Sequence, residues 1–222
     1  MISLSNRLLT ISSFIEKNDN ILDIGCDHAL LDIYLEKKYN NDIIIASDVL
    51  ESALEKGKEN IKKYNSKRVI LKCGYGLETL DNNKVNTVVI AGMGYQKIIG
   101  ILKNGKKKLE NIEKIIIQSN TFPEKVRHYL TKNNYYIYDE KLVKERNIIY
   151  TIIVFKKGNK KYNNIELLYG PILIEKRENI FIEYLDIEIK KNNIILKVLP
   201  KKYIFKRIKL KKEIKRLLRL RG

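Results

Sequence analysis

Cysteine, histidine and long apolar runs are all scarce in this chain. Among its 222 residues there are two cysteines, Cys26 and Cys73, and two histidines. Neither cysteine belongs to a C-x-x-C pair, so the sequence has no zinc or redox motif, and we expect no metal. No apolar run approaches the roughly 18 residues of a membrane span, and the N-terminal segment lacks the apolar core of a signal peptide. These absences predict a soluble, cytoplasmic protein without a membrane partner.

Basic residues, by contrast, are abundant. The chain has 44 Lys and Arg against 26 Asp and Glu, which gives a formal net charge of +18. A balance this basic favours a polyanionic partner such as nucleic acid, or less often an anionic membrane surface. A biased base composition of the source genome is the alternative, but it would spread the excess evenly. Instead, residues 200–222 hold eleven basic residues and one acidic residue.

The hydrophobic pattern alternates between helices and strands. Apolar residues three or four positions apart, from Leu4 to Ile15, predict an N-terminal helix. Helices then separate five apolar strands, which we place at 20–24, 42–46, 68–72, 85–91 and 115–118. Two more strands, at 135–144 and 147–156, follow each other across a short polar turn. This order predicts an α/β fold whose mostly parallel seven-stranded sheet ends in an antiparallel hairpin.

The pattern changes after this hairpin. Residues 157–164 are polar and predict a linker between a first domain, residues 1–160, and a second domain, residues 165–222. In the second domain, four apolar residues repeat at a spacing near 3.5, with Asn192 in the same register: Ile182, Leu185, Ile189 and Leu196. Pro200 breaks the pattern, and a second helix is predicted over 202–220. The two helices together predict an antiparallel helical hairpin or coiled coil.

The last predicted helix is both amphipathic and basic. Its expected apolar face consists of Ile204, Ile208, Leu210, Ile214, Leu217 and Leu218. Its cations would lie along the phosphates of a nucleic acid, and we select Lys206, Lys209, Lys212, Arg216 and Arg219 as phosphate-binding residues. A solvated coiled-coil face and a helix on a membrane surface are the alternatives.

Glycines and carboxylates occur where the parallel strands end. In an open α/β sheet these ends line the ligand crevice. The residues concerned are Asp23 and Gly25 after the first strand, Asp48 after the second, Gly74 and Gly76 after the third, and Gly92 and Gly94 after the fourth. An acidic residue that ends the second strand suits the hydroxyls of a ribose, although Asp48 could instead cap the next helix. Four such turns in register predict a cofactor that contains a nucleoside.

Other polar residues adjoin these turns. Asp27 would lie near the reactive end of the cofactor or cap the following helix, and His28 would contact substrate or form a local hydrogen bond. After the fifth strand, Gln118 and Asn120 would read the edge of a base or cap the next helix. The first turn lacks the G-x-G-x-x-G spacing, which argues against a dinucleotide-dependent oxidoreductase.

Several segments resemble the TrmK family, bacterial tRNA (adenine-N1)-methyltransferases that act on adenosine 22 in the D-arm. The two most specific are Asp-Ile-Gly-Cys-Asp-His-Ala-Leu at 23–30 and Ile-Ala-Gly-Met-Gly at 90–94. Residues 4–8, 76–78, 117–120 and 170–171 add to a resemblance that spans nearly the whole chain. It implies a class I methyltransferase fold that uses S-adenosylmethionine, a C-terminal helical coiled coil, and tRNA as partner.

The resemblance also implies roles for individual residues. Asp27 matches the catalytic aspartate proposed for the family, and His28, Tyr95 and Asn120 are placed on the substrate side. Asp23, Gly25 and Asp48 match the cofactor-binding turns of the family, and Arg7 matches a family arginine near the cofactor pocket or is a surface or salt-bridging arginine. Together with residues at the ends of the third and fourth strands, they are our predicted cofactor-binding residues; those strand-end residues are Gly74, Tyr75, Gly76, Gly92, Met93 and Gly94.

The chain departs from the family pattern at three positions. Tyr75 stands where the family usually has an aspartate, Tyr95 where a further glycine is expected, and Ser119 where a proline is usual. Recognition of the cofactor adenine would rest on backbone amides or on stacking by Tyr75, and Tyr95 would narrow the pocket or stack on the target base. A methyltransferase of another RNA site and a non-catalytic RNA-binding protein on a degenerate scaffold are the alternative functions. We expect a monomer.

Overall fold

A computed structural model of the chain describes residues 2–39, 41–80 and 84–222. Seven strands form one sheet: β1 Ile21–Ile24, β2 Ile44–Asp48, β3 Val69–Cys73, β4 Thr87–Gly94, β5 Lys114–Thr121, β6 Tyr135–Glu145 and β7 Ile148–Lys157. Their spatial order is β3-β2-β1-β4-β5-β7-β6. The first five strands are parallel, and β7 pairs antiparallel with both β5 and β6. The predicted sheet with its closing hairpin is therefore confirmed.

The centre of the sheet explains the continuous apolar runs. Every residue of β1 is buried, and Leu22 lies in register between Ile45 of β2 and Val88 of β4. Since both faces are covered, these strands have no polar side to alternate with. The chain winds outward from β1 in one direction and from β4 in the other. The carboxyl ends of β1 and β4 therefore form the topological switch point at which α/β sheets bind ligands.

Helices pack on both faces of the sheet. They are α1 Asn6–Ser12, α2 Leu30–Tyr39, α3 Glu51–Lys63, α4 Tyr95–Asn104 and α5 Pro123–Thr131. One apolar cluster joins the sheet to Ile98 and Val126 of α4 and α5, and another joins it to Ile11 and Leu35 of α1 and α2. Short 3-10 helices cover Gly76–Thr79 and Lys108–Asn111.

The fourth strand is longer than the predicted 85–91. It continues through Gly92 to Gly94 because β5 also continues, and Met93 and Gly94 pair with Ser119 and Thr121 in an irregular register. The glycine segment is thus the end of a strand and not a free turn. The ladder fixes its backbone, which positions the residues that follow it.

The chain forms two compact units, which meet between Ile172 and Leu173. The boundary lies beyond the predicted linker at 157–164, since this segment leads into α6, Asn164–Tyr169, and then α7, Pro171–Lys176. Asn163 caps α6 by accepting hydrogen bonds from Ile165 and Glu166, and Glu166 bonds back to the Asn163 amide.

A buried arginine attaches this segment to the first unit. Arg127 of α5 is 1% exposed and pairs with the buried Glu140 at 2.7 Å. Its guanidinium also donates to the carbonyl oxygens of Leu167 and Leu168, while Glu140 accepts the amide of Ile172. The Arg127–Glu140 pair therefore extends the first unit to Ile172.

The second unit is built around two long helices, α8 Asn179–Val198 and α9 Ile204–Arg221. Arg221 pairs with Asp186 at 2.7 Å, and Arg207 donates to the carbonyl oxygen of Leu196 at 2.9 Å. Because the end of one helix thus meets the start of the other, the helices are antiparallel. The predicted helical hairpin is confirmed.

The predicted apolar face of α9 is only partly correct. Leu217 is buried and Leu210 and Ile214 are half-buried, but Ile204, Ile208 and Leu218 are exposed. A single helix partner covers a narrow stripe, so apolar residues one position away from it stay in solvent. Among the described residues, no helix is long and apolar enough to cross a membrane.

Candidate active site

A cavity of about 460 Å³ opens at the carboxyl ends of β1 and β4. It brings together seven of the predicted site residues: Arg7, Asp23, Gly25, Asp27, His28, Gly92 and Asn120. A much smaller cavity, about 40 Å³, is lined by Gly25, Asp48, Gly74, Tyr75, Gly76 and Met93. Gly25 borders both, so the two cavities adjoin at the turn after β1. Gly94, Tyr95 and the predicted cations of α9 line neither cavity.

The turn after β1 needs glycine and brings Met93 close. Gly25 has a φ of +78°, and a Cβ there would lie 2.3 Å from the terminal methyl of Met93. Met93 therefore occupies the space where the two cavities meet. An adenosine in the smaller cavity would require Met93 to change rotamer, which an unbranched thioether side chain does easily.

Gly92 provides the clearest space for a ligand. Its φ is +76°, and a Cβ at this position would meet no atom within 4 Å. The backbone therefore borders open space within the larger cavity, where a bound molecule can approach it closely. Gly94, in contrast, packs against Thr121, whose hydroxyl would lie 3.4 Å from an added Cβ.

Asp27 and His28 form an exposed pair at the mouth of this cavity. The Nε2 of His28 lies 3.2 Å from Oδ2 of Asp27, whose side chain is 72% exposed. Asp27 and Ala29 both have left-handed backbones, with φ of +52° and +54°. Non-glycine residues rarely adopt this conformation, and such strain concentrates at functional sites. His28 lies within ion-pair distance of the Asp27 carboxylate.

Asp48 joins two of the strand-end turns. Its carboxylate accepts the amide of Leu50 at 3.0 Å and the amide of Asp27 at 3.3 Å. The carboxylate thus bonds to the residue before α3 and not to the first turn of that helix. It remains beside the smaller cavity, where a ribose hydroxyl can reach it.

Gln118 is the centre of a buried amide network, which differs from both predicted roles. Its side-chain oxygen accepts from Arg7 Nη1 at 3.0 Å and from the Gly92 amide at 2.9 Å. Its side-chain nitrogen donates to Asn120, which in turn donates to the Gly92 carbonyl at 2.7 Å. The network fixes Arg7 and the Gly92 backbone. Arg7 also stacks on Tyr150, while its Nε is buried without a hydrogen-bonding partner.

The two unexpected tyrosines point in different directions. The Tyr75 hydroxyl lies near Gly100 of α4, and its ring packs against the core below the smaller cavity. Tyr95 lies at the edge of the site, edge-on to Phe122 with ring centroids 5.4 Å apart. Phe122 is 58% exposed and has a φ of +46°. Phe122 could not be selected from sequence patterns, because its position depends on a left-handed backbone.

Two buried carboxyl groups lie below the first turn. Asp23 is 5% exposed, and Asp32 of α2 is fully buried. Burial, followed by the nearby Asp48 charge, raises the pKa of Asp23 to about 7. Burial and then Asp23 raise the pKa of Asp32 well above its usual value. Sequence reasoning selected Asp23 but missed Asp32, since it lies where the helix pattern expects an exposed polar residue.

The predicted cations of α9 lie on the exposed side of their own unit. Lys206, Lys209, Lys212 and Arg219 are exposed, while Arg216 pairs with Glu213 at 2.6 Å. Phe205, beside Lys206, is 88% exposed.

Another, larger cavity lies elsewhere, at the amino ends of the parallel strands. It measures about 690 Å³ and is lined by Asp19, Thr87 and Lys114, among others. Lys114 and Asp19 are both buried and pair at 2.6 Å, and Thr87 donates to Asp19 at 2.8 Å. This polar network is satisfied, and it lies opposite the switch point. In the described part of the chain, no three His, Cys, Asp or Glu side chains are grouped to hold a metal ion.

Sequence comparisons identify close relatives of this chain. Residues 21–219 match the family model described as TrmK, tRNA (adenine(22)-N(1))-methyltransferase. The tRNA (adenine(22)-N(1))-methyltransferase of Bacillus subtilis is 30% identical over 189 residues, which cover 82% of this chain and 79% of that protein. A Mycoplasma genitalium protein named as a tRNA methyltransferase is 30% identical over 79% of this chain and 81% of its own length.

Solved structures share the same fold. A Streptococcus pneumoniae protein in complex with S-adenosyl-L-methionine superposes with a TM-score of 0.91 at 26% identity, over 99% of this chain and 100% of the other. Mycoplasma capricolum TrmK in complex with S-adenosyl-homocysteine gives 0.86 at 28% identity, over 97% and 96%. The switch-point cavity, the hairpin-ended sheet and these matches agree, and the chain belongs to the TrmK family of tRNA (adenine(22)-N(1))-methyltransferases.

Proposed function

We propose that this protein transfers a methyl group from S-adenosylmethionine to N1 of adenosine 22 in the D-arm of tRNA. The switch-point cavity carries the proposal, since it combines an open glycine backbone at Gly92 with the exposed Asp27–His28 pair. The family model and the Bacillus subtilis relative support the reaction and the nucleotide.

The residues of the two cavities suit the cofactor. Asp48 would accept hydrogen bonds from the ribose hydroxyls beside the smaller cavity. Arg7 has a buried Nε without a partner, which a carboxylate in the larger cavity would satisfy. Asp23 lines the same cavity and would face the cationic amino group. The cofactor supplies a methyl group that is already activated on a sulfonium centre, so the protein contributes mainly orientation and electrostatics.

Asp27 is the proposed catalytic residue. Its exposed carboxylate would accept a hydrogen bond from the exocyclic amino group of adenine, which places N1 toward the cofactor site. The negative charge would then stabilise the positive charge that N1-methylation creates on the ring. His28 holds Asp27 in place through the 3.2 Å contact, and it acts as a positioning residue.

The target adenine must leave its helical stack, because N1 lies on the Watson–Crick edge. Tyr95 and Phe122 offer an aromatic surface next to the site, on which a displaced base would stack. The Asn120 side chain is held by hydrogen bonds to Gln118 and Gly92. It would therefore contact the substrate only through its remaining hydrogen-bonding capacity.

The exposed cations of α9 would hold the tRNA backbone through its phosphates. Lys206, Lys209, Lys212 and Arg219 are available for this role, and Arg216 would have to leave its ion pair with Glu213. Binding of this kind reads shape and charge and not sequence. Because tRNA is the substrate, we further propose a cytoplasmic location, and we propose that the protein acts as a monomer.

An Asp27→Asn variant tests the proposed chemistry. Methyl transfer to a tRNA transcript should fall by roughly 10²–10⁴-fold, while the Kd for S-adenosylmethionine changes little. Asp42→Asn is the matched control, since Asp42 is an exposed aspartate away from the cavity. Full turnover by Asp27→Asn would contradict the catalytic role. A wild-type protein that binds tRNA but neither binds nor uses the cofactor would instead support a degenerate scaffold.

A further inference from the structure

Asp23 and Asp32 meet in a space that contains few other polar groups. Asp23 is the third residue of β1, and Asp32 lies in the first turn of α2. Each of the two carboxyl groups shifts the pKa of the other, so they lie close together. Neither carboxyl oxygen of Asp32 accepts a hydrogen bond from an N–H or O–H group of the described residues. Because two ionised carboxylates are both acceptors, their contact is favourable only when one of them carries a proton.

Neither carboxyl group of this pair has a cationic partner among the described groups that surround it. The charged and titratable groups near the pair are Asp48 from β2 and the Cys26 thiol from the turn, and Arg7 from α1 lines the same cavity as Asp23. Burial, followed by the three carboxylates, also raises the pKa of Cys26, so the thiol stays neutral. The Arg7 guanidinium is directed to Gln118 and Tyr150.

The two carboxyl groups have different roles within the pair. Asp32 is fully buried, and neither of its carboxyl oxygens accepts a hydrogen bond from the described residues. Burial raises its pKa well above the usual value, so it keeps its proton at neutral pH. The hydrogen bond from Asp32 lowers the pKa of Asp23, which burial and Asp48 raise to about 7. Asp23 is also the member that lines the cavity. At neutral pH the pair is therefore poised between neutral and singly negative.

We propose that Asp32 is a positioning residue for the cofactor: it stays protonated, donates its hydroxyl to Asp23, and so lets Asp23 ionise when a cationic cofactor binds. This inference rests on the proposed function. S-adenosylmethionine carries an ammonium and a sulfonium, and either charge near Asp23 favours the carboxylate. The proton that Asp23 loses passes to solvent, while Asp32 keeps its own.

Calorimetric titration of the full chain with S-adenosylmethionine tests the proposal. Between pH 6 and pH 7.5 the Kd of the wild-type protein should fall roughly five- to tenfold, as expected for one linked proton with a pKa near 7. At pH 6 the measured heat should depend on the ionisation enthalpy of the buffer, because binding releases a proton. Equal affinity at both pH values with no buffer dependence would overturn the proposal.

Two substitutions separate a proton-donating role from a structural one. Asp32→Asn keeps a donor toward Asp23, so its affinity and pH profile should stay within about threefold of wild type. Asp32→Leu removes the donor, so ionisation of Asp23 should need a higher pH and the affinity at pH 7 should fall about tenfold. Asp42→Asn controls for an exposed aspartate.

The outcomes of these variants are distinct. Loss of binding that is equal in Asp32→Asn and Asp32→Leu, with an unshifted pH profile in the protein that remains folded, would overturn the role of Asp32. Neither substitution changes His28, so a shift in the profile belongs to the carboxyl pair. Absence of cofactor binding by the wild-type protein at every pH would overturn the proposed function itself, together with this inference.

Discussion

Three aspartates near the first turn lie at different depths, and depth sets their chemistry. The Asp27 side chain is exposed, Asp23 borders the cavity, and Asp32 is fully buried. An exposed carboxylate is negative at neutral pH and can face a substrate, whereas a buried one is neutral unless a cation accompanies it. The sequence shows that all three are acidic. It does not show their depth, which depends on how α2 packs over the sheet.

The buried pair makes stability depend on pH. The pKa of Asp23 is raised from 3.8 to about 7, and burial raises that of Asp32 well above 3.8, so between pH 4 and pH 7 the folded state binds more protons than the unfolded state. The free energy of unfolding should therefore decrease as pH rises through this range. Asp32→Asn removes one of the groups that takes up a proton on folding, so its stability relative to wild type should increase as the pH rises from 4 to 7.

Urea denaturation from pH 4 to pH 7 measures this difference. The stability of Asp42→Asn relative to wild type should stay constant over the same range, since Asp42 is exposed. A stability gain in Asp32→Asn that does not grow with pH would show that Asp32 is ionised in the folded protein.

At the scale of elements, the paired ends of β4 and β5 decide the shape of the site. Hydrophobic runs were sufficient to predict both strands and their parallel orientation. They were not sufficient to predict that the two strands continue side by side to Gly94 and Thr121, because glycine and polar residues there resemble a loop. This continuation places Tyr95 and Phe122 next to each other. Tyr95 was selected from the family pattern, whereas Phe122 emerges only from the structure.

A substitution at Phe122 separates backbone strain from aromatic contact. Phe122→Gly should relieve the left-handed backbone and stabilise the fold by about 1 kcal/mol. It also removes the ring, so the KM for tRNA should rise several-fold, in line with the roughly 1–3 kcal/mol that an aromatic stack contributes per base.

Thermal unfolding and steady-state kinetics measure the two effects. Phe122→Tyr is the matched control, since it keeps both the ring and the strain and should change neither quantity much. An unchanged KM in Phe122→Gly, with the expected gain in stability, would show that Phe122 does not contact the substrate.

At the scale of the whole molecule, charge and architecture agree. Residues 200–222, which include the last helix, carry more than half of the net charge of +18, and the helical hairpin that contains this helix is confirmed. Its apolar face was only partly predictable, because periodicity gives a broad face and the partner helix covers part of it. The domain boundary was equally hidden, since Arg127 joins α6 to the first unit through contacts between residues about 40 positions apart.

Replacing Lys206, Lys209 and Lys212 with alanine tests the role of α9. All three are exposed, so folding should be unaffected. The affinity for tRNA should fall, and the slope of log K against log salt should become shallower by about 2, because each lost phosphate contact removes nearly one released counterion.

A triple alanine variant of Lys103, Lys106 and Lys107 provides the control. These lysines are exposed and lie at the end of α4 that is opposite the crevice. An equal loss of salt dependence in both triple variants would mean that tRNA binding depends on the total positive charge of the protein and not on the lysines of α9.

The proposed reaction itself is tested most directly by locating the methyl group. Purified protein, S-adenosylmethionine and an unmodified tRNA transcript would be incubated, and ribonuclease fragments would be sequenced by mass spectrometry. We expect one added methyl group, on adenosine 22, as 1-methyladenosine, and none in a transcript with guanosine at that position. Methylation at another nucleotide, or no methylation by a protein that binds both the cofactor and the tRNA, would contradict it.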